Sequence, residues 1–230
     1  MVYNMKIICI ITARSKSSEI KNKNIKYFRG KPLIFYSIKF AKKLKFVSKI
    51  IFSTDSKKYI SIAKKYFPFD NHLRPKRLAK KYSKSIDVIK YEINRLKKKK
   101  ENFDYVLILE PTSPFRDIRD FNNAYKLISK KNYDTVITIK KSKNIPEQML
   151  INKGNKLKPL MYKAANEILK PRQKFKNKFL PAGSMYLTSI KNIEKNKILG
   201  SKIYGIPVFK RYALNIDDEE DLILANNYFL

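Results

Sequence analysis

The sequence has no tryptophan, one cysteine, one histidine and five glycines, and it sets 19 acidic residues against 52 basic ones. Each shortage excludes something. The lone Cys9 cannot close an internal disulfide. It lies within the run Ile7-Ile8-Cys9-Ile10-Ile11 and reads as a buried core residue in a reducing cytoplasm. His72 has no second histidine and no cysteine beside it with which to hold zinc. The longest apolar stretches, that run and Val106-Leu107-Ile108-Leu109, are far too short to cross a bilayer, so no membrane insertion is expected. Met1-Val2-Tyr3-Asn4 leads straight into the first apolar run, so no signal peptide is expected.

The shortage of acids gives a net charge of +33. Such a charge suits partners that carry phosphate, because each neutralised phosphate releases counterions. Only nine of the 52 basic residues are arginine, however, and base readout and bidentate phosphate recognition favour arginine. Lysine is spread over nearly every helical segment, which reads as composition placed on solvated faces, with steering of small anions as a by-product. A nucleic-acid binder would gather its basic residues on one face among exposed aromatics. Here many of the 29 tyrosines and phenylalanines fall on apolar helix faces or in strands, so no nucleic-acid partner is expected.

Apolar residues make up 43% of the chain, enough for one sizeable core. Short apolar strands alternate with amphipathic helices, the pattern of an α/β fold with a mostly parallel sheet. Strands are expected at 7–12, 49–53, 105–109, 135–139 and 204–208. Helices are expected at 33–44 (with Pro32 at the first turn), 57–66, 85–100, 117–130 and 219–229. Residues 140–181 lack periodicity and read as an excursion from a single domain spanning 1–230.

In open α/β sheets the ligand sits beyond the carboxyl ends of the strands. Four loops there are chemically loaded: 13–24, 53–55, 110–116 and 215–217. The first, Ala13-Arg14-Ser15-Lys16-Ser17-Ser18-Glu19-Ile20-Lys21-Asn22-Lys23-Asn24-Ile25, combines cations and hydroxyls as a triphosphate requires. It contains no glycine, so it is neither a Walker loop nor a dinucleotide fingerprint. Ser53-Thr54-Asp55 reads either as part of a site or as a strand end whose Asp55 caps the next helix. Arg116 reads as a surface charge or a phosphate contact. Asp218 to Asp221 read as an acidic first helical turn.

Further segments follow in order: Gly30-Lys31-Pro32-Leu33-Ile34, Ile51-Phe52-Ser53-Thr54-Asp55, and Leu73-Arg74-Pro75 with Leu78-Ala79. Then come Leu109-Glu110-Pro111-Thr112-Ser113-Pro114-Phe115-Arg116, Pro171-Arg172-Gln173, Pro181-Ala182-Gly183-Ser184-Met185-Tyr186 and Asn215-Ile216-Asp217-Asp218-Glu219-Glu220-Asp221-Leu222. Taken in this order and spacing, the set resembles the CMP-sialic acid synthetase (acylneuraminate cytidylyltransferase) family. The resemblance implies a doubly wound α/β fold of the nucleotide-diphospho-sugar transferase type, with an excursion that helps form a homodimer. It implies an enzyme that transfers CMP from CTP to the anomeric hydroxyl of a nonulosonic acid, with Mg²⁺ as cofactor and pyrophosphate as product.

By the same resemblance Arg14, Lys23 and Asp217 are the expected catalytic residues. Ala13, Arg14, Asn24, Arg74, Ser83 and Ser85 are expected to bind the nucleotide. Glu110, Arg172, Gln173 and Ala182 are expected to bind the sugar, where an arginine can grip a carboxylate bidentately. Asp217 and Asn215 are expected at the metal. The sequence departs from the family pattern at Lys16 to Glu19, at Lys81, and at Asn215, where an aspartate is usual. Glu110 stands in place of a glutamine and Ala182 in place of an asparagine, which points to a related sugar of the legionaminic or pseudaminic type. Two alternatives remain: a nucleotidyltransferase for another sugar acid, and a catalytically impaired member.

Overall fold

Ile7–Thr12 (β1) is apolar at nearly every position because both of its faces are covered. In the computed structural model, which describes residues 5–17, 19–69, 72–130, 132–161 and 165–228, it lies inside a six-stranded sheet. In chain order the elements are β1, the short strands Tyr27–Phe28 (β2) and Lys31–Pro32 (β3), helix Leu33–Lys43 (α1), Val47–Ser53 (β4), Lys57–Lys64 (α2), Ser85–Lys98 (α3), Tyr105–Leu109 (β5), Ile118–Ser129 (α4) and Thr135–Lys141 (β6). Leu150–Lys153 (β7), Lys156–Pro159 (β8), Phe179–Ser189 (β9), Ile190–Glu194 (α5), Ile203–Pro207 (β10) and Glu219–Asn227 (α6) follow.

The sheet order is β10-β6-β9-β5-β1-β4. Every neighbouring pair is parallel except the two made by β9, which runs antiparallel between β5 and β6. The alternation of side chains along β1 builds two cores. Ile7, Cys9 and Ile11 pack with Ile34, Ile38 and Ala41 of α1 and with Phe121, Ala124 and Ile128 of α4. Ile8 and Ile10 pack on the opposite face with Ile89, Ile93 and Leu96 of α3 and with Ile190 and Ile193 of α5. Helices on both faces make the sheet doubly wound, as the sequence predicts. Burial pushes the Cys9 thiol up to about 12.

Three expectations need correction. Pro32 is the N-cap of α1, not a first-turn residue. Residues 140–181 are more regular than their sequence suggests: β7 and β8 form an antiparallel hairpin. Residues 179–181 begin β9, a central strand that the sequence reading misses altogether. Pro181 and Gly183 hide it, because both normally interrupt a central strand. They are tolerated at a bulge, where the β6–β9 register shifts between Ile137 and Ile139 and Gly183 takes φ +80°. The last helix is described to Asn227, and Phe229 lies outside the described residues.

A third, smaller core of Ile20, Phe28, Leu33, Phe115, Leu214, Ile216 and Leu222 sits at the carboxyl edge of the sheet. It ties the first loop, the loop after β5 and the segment before α6 to one another, which fixes the site.

Candidate active site

β1, β4 and β5 are parallel, so their following loops emerge on one edge of the sheet. There they enclose a cavity of about 320 Å³. Arg14, Ser17, Lys23, Asn24, Arg74, Ser83, Ser85, Glu110, Asn215 and Asp217 all line it, with Lys81 and Thr112 beside them. Residues from loops spread over some two hundred positions thus share one cleft, cationic where the first loop meets residues 74–85 and acidic at Glu110 and Asp217.

The first loop holds its shape through side chains. Asp55 accepts from the Ser15 N–H at 2.8 Å and from Ser15 Oγ at 2.7 Å. Tyr59 Oη donates to the Ser15 carbonyl at 3.3 Å. The buried Asn24 donates to the Arg14 carbonyl at 2.9 Å, and Arg14 donates to the Lys81 carbonyl at 3.1 Å. Asn24 and Arg14 therefore brace the cleft as well as line it. The expectation that Asp55 caps the next helix is overturned: Ser56 caps α2, accepting from the Tyr59 N–H, which leaves Asp55 to clamp Ser15.

Arg74 is only 4% exposed, and its main-chain N–H donates to the Thr54 carbonyl at 2.9 Å. Burial lowers its pKa, while Asp55 and Glu92 favour its charged form. Its Nε is buried and has no hydrogen-bond partner among the described residues. Glu92 was not foreseen as a site residue. It is fully buried on α3, accepts from Ser53 Oγ at 2.7 Å, and pairs with Arg95 Nε at 3.0 Å. An acid among Ile89, Ile93 and Leu96 on the apolar face of a helix was the available signal. Ser83 Oγ donates to the Arg77 carbonyl, and Ser85 opens α3, whose N-cap Lys84 makes no side-chain cap. The Asp87 N–H donates to the Lys84 carbonyl at 3.1 Å, which leaves the Ser85 and Ile86 N–H groups as those turned toward an incoming anion.

On the β5 side, Ser113 Oγ donates to Asn215 Oδ1 at 3.1 Å, and Asn215 Nδ2 donates to Asp217 Oδ2 at 2.7 Å. Lys23 Nζ lies 2.7 Å from Asp217 Oδ1. Asp218 and Asp221 form a capping box at the start of α6, as the acidic turn predicts. Arg116 is neither a surface charge nor a phosphate contact: it donates to the Glu110 carbonyl at 2.7 Å and to the Ser184 carbonyl at 3.0 Å. Burial lowers its pKa to about 10, opposed by Cys9 and Glu110.

Among the described residues no three carboxylate, histidine or cysteine side chains gather as a metal site. Asp217 offers one exposed carboxylate, and the Asn215 oxygen is turned toward Ser113. This donor set fits a magnesium ion that arrives with phosphate oxygens, since such ions take one or two carboxylates from protein and keep several waters.

Three expected residues are not brought to the cleft wall, and the Arg172 side chain lies outside what is described. Ala13 is buried and gives its N–H to the Ser53 carbonyl, so it starts the loop without lining the cleft. Ala182 is buried in β9. Gln173 lines a separate cavity with Lys141 and Asn144. Arg172 lies in the same short 3-10 turn as Gln173. Ser18 falls outside the described residues.

Fold and cleft together define a doubly wound α/β protein with one polar, cation-lined site at the carboxyl ends of its strands. The chain belongs to the cytidylyltransferase family, whose model matches residues 8–196. It is 36% identical over 146 residues to the N-acylneuraminate cytidylyltransferase of Escherichia coli, covering 63% of this chain and 33% of that protein. It is 29% identical over 195 residues to the CMP-N,N'-diacetyllegionaminic acid synthase of Legionella pneumophila, covering 84% of this chain and 82% of that one. The match thus spans about a third of the Escherichia relative and most of the Legionella one. Among solved structures, CMP:2-keto-3-deoxy-manno-octonic acid synthetase complexed with CTP superposes with a TM-score of 0.70 at 13% identity, covering 97% of this chain and 98% of that one. That likeness establishes the shared fold.

Proposed function

We propose that the protein transfers CMP from CTP to the anomeric hydroxyl of a nonulosonic acid. The hydroxyl oxygen attacks the α-phosphorus, the bond to the bridging oxygen of the β-phosphate breaks, pyrophosphate leaves, and the hydroxyl gives up its proton. The observation that carries this reading is the convergence of Arg14, Lys23, Arg74, Ser83, Ser85 and Asp217 on one cleft in a chain of this family. The names of the two relatives, which specify N-acylneuraminate and diacetyllegionaminic acid, support the sugar class.

In this reading Arg14 and Lys23 face the phosphates, and the residue 74–85 side receives the nucleoside. Positioning and charge neutralisation then carry most of the catalysis. Asp217, aided by Asn215, is the residue that would hold Mg²⁺, which supplies further neutralisation of phosphate charge when bound. Glu110 faces the acceptor.

A homodimer is part of the proposal. Leu150, Leu160, Met161 and Leu169 of the excursion are 44%, 46%, 59% and 77% exposed, an apolar set that a second copy would cover. No helix among the described residues is long and apolar enough to cross a membrane. A cytoplasmic location agrees with the single buried thiol. The test is to incubate the pure protein with CTP, Mg²⁺ and a panel of nonulosonic acids and to measure pyrophosphate. Sugar-dependent release is expected; tight CTP binding without release from any acid would favour an impaired member instead.

A further inference from the structure

β9 parts from both of its neighbours at Ser184. The antiparallel register that pairs Ile108 with Tyr186 would next bring Leu109 to Met185 and Glu110 to Ser184, yet the β5 ladder stops at Ile108. On the other side the β6 ladder skips Thr138, whose hydroxyl accepts from the Met185 N–H at 3.2 Å and meets Ser184 Oγ at 2.8 Å. Arg116 fills the opening toward β5. Its Nη2 donates to the Glu110 carbonyl at 2.7 Å and its Nε to the Ser184 carbonyl at 3.0 Å. The guanidinium thus bridges the two residues that a further rung would have joined directly, and it holds them apart by its own width.

No described carboxylate bonds to this cation, and Glu110 supports its charge only through space. Its Cζ lies 5.8 Å from the Phe40 ring centroid, and its Nη1 is buried with no hydrogen-bond partner among the described residues. A charge held in this way is costly, whereas main-chain atoms could have closed the rung without it. Its effect is on the cleft wall. The Glu110 carbonyl also accepts from the Ser113 N–H at 3.1 Å, so the wedge fixes the turn 110–113. That turn gives its Thr112 carbonyl to the Ile216 N–H at 2.7 Å and its Ser113 hydroxyl to Asn215, which in turn donates to Asp217. Arg14 is anchored elsewhere, by Asn24 on its own carbonyl and by Asp55 on the neighbouring Ser15.

We propose that Arg116 is a positioning residue for magnesium-bound CTP: by wedging β5 from β9 it sets where Asn215 and Asp217 stand across the cleft from the first loop, without itself touching a substrate. This inference deepens the transfer reading above and rests on it for the identity of the ligand.

The test is calorimetric titration of the whole protein with CTP, once with Mg²⁺ and once with a chelator, for the unaltered chain, Arg116→Lys and Arg116→Met. Mg²⁺ is expected to tighten CTP binding to the unaltered protein. In Arg116→Met that gain should shrink by about tenfold, the lower end of the cost of losing a group that orients a metal ligand. The metal-free Kd should hold steady. Arg116→Lys keeps the charge and one donor but loses the planar fork, so it should fall between. A purely structural role would weaken both Kd values alike, in step with the melting temperature. That result overturns the assignment, as do an unchanged gain in Arg116→Met, no gain in the unaltered protein, or failure of both variants to fold. Sugar-dependent pyrophosphate release by the unaltered protein is measured alongside. Its absence, with the magnesium gain present there and reduced in Arg116→Met, sinks the transfer reading and leaves the positioning role standing.

Discussion

Lys23 Nζ stands 2.7 Å from Asp217 Oδ1, joining residues 194 positions apart and closing the cleft between the first loop and the segment before α6. The second Asp217 oxygen accepts from Asn215. Each oxygen has one donor and a further lone pair, so a metal would compete with the lysine and the amide for the carboxylate. This gives the first prediction. Asn215→Asp replaces a donor to Asp217 with a second carboxylate, which should lower the Mg²⁺ concentration for half-maximal rate. It should also lower the melting temperature without metal. Asp217→Asn should cost on the order of 10- to 100-fold in apparent Mg²⁺ affinity. A magnesium titration of pyrophosphate release checks both, and an Asp217→Asn curve that overlays the unaltered protein would remove Asp217 from the metal site.

The Asp55 clamp on Ser15 predicts a binding defect from a residue that does not line the cleft. Asp55→Ala removes two charge-assisted bonds that hold the loop bearing Arg14. The Kd for CTP should rise by about tenfold or more, since each bond to a charged group is worth roughly 1.5–3 kcal/mol. Asp55→Asn can keep one acceptor and should fall between. Calorimetric titration with CTP checks the order, and unchanged affinity in Asp55→Ala would show that the loop needs no clamp.

Gly183 is predicted to tolerate no side chain. Its φ is +80°, and an added Cβ would lie 3.3 Å from Ser113 Oγ, the group that holds Asn215. Gly183→Ala should cost about 1–3 kcal/mol in strain. That corresponds to a melting temperature lower by roughly 2–10 °C in a chain of this size. Scanning calorimetry measures it, and the same variant should need more Mg²⁺ because the Ser113–Asn215 bond is disturbed.

Cys9 supplies a pH prediction. Its folded thiol titrates at about 12 against an ordinary 9.0. Below pH 9 both states hold the proton, and the thiol adds no pH dependence. As pH rises past 9 the unfolded thiol ionises while the folded one stays protonated, so folding stability falls with rising pH. The slope from this group should be about 0.7 kcal/mol per pH unit at pH 9 and should rise toward about 1.4 above pH 10. Denaturant melts of the unaltered protein and Cys9→Ala check this, the alanine variant losing the slope. A thiol reagent should label Cys9 only after unfolding, and rapid labelling of the folded chain would contradict its burial.

Much of the architecture was legible in the sequence. The apolar run of β1 required cover on two faces, and the periodicities of α1, α3 and α4 supplied it. Local signals reached their limit at β9, where Pro181 and Gly183 read as a break, and at Arg116, whose charge gave no hint that it would be drawn inward to main-chain carbonyls. Asp55 stayed between two readings for the same reason: an aspartate before a helix has a local partner in prospect, and here Ser56 took the capping role.

What the sequence by itself determined is the alternation of strands and helices, the family motifs and the residue types at the carboxyl edge, because these depend on periodicity and on neighbours along the chain. Which of those residues meet was decided only by the tertiary structure. The pairing of Lys23 with Asp217, the clamp of Asp55 on Ser15 and the turn of Arg116 to the Glu110 and Ser184 carbonyls each depend on strand order and on how deeply each side chain is buried. Those follow from packing the sheet between its helices, and no local pattern encodes a contact across two hundred residues.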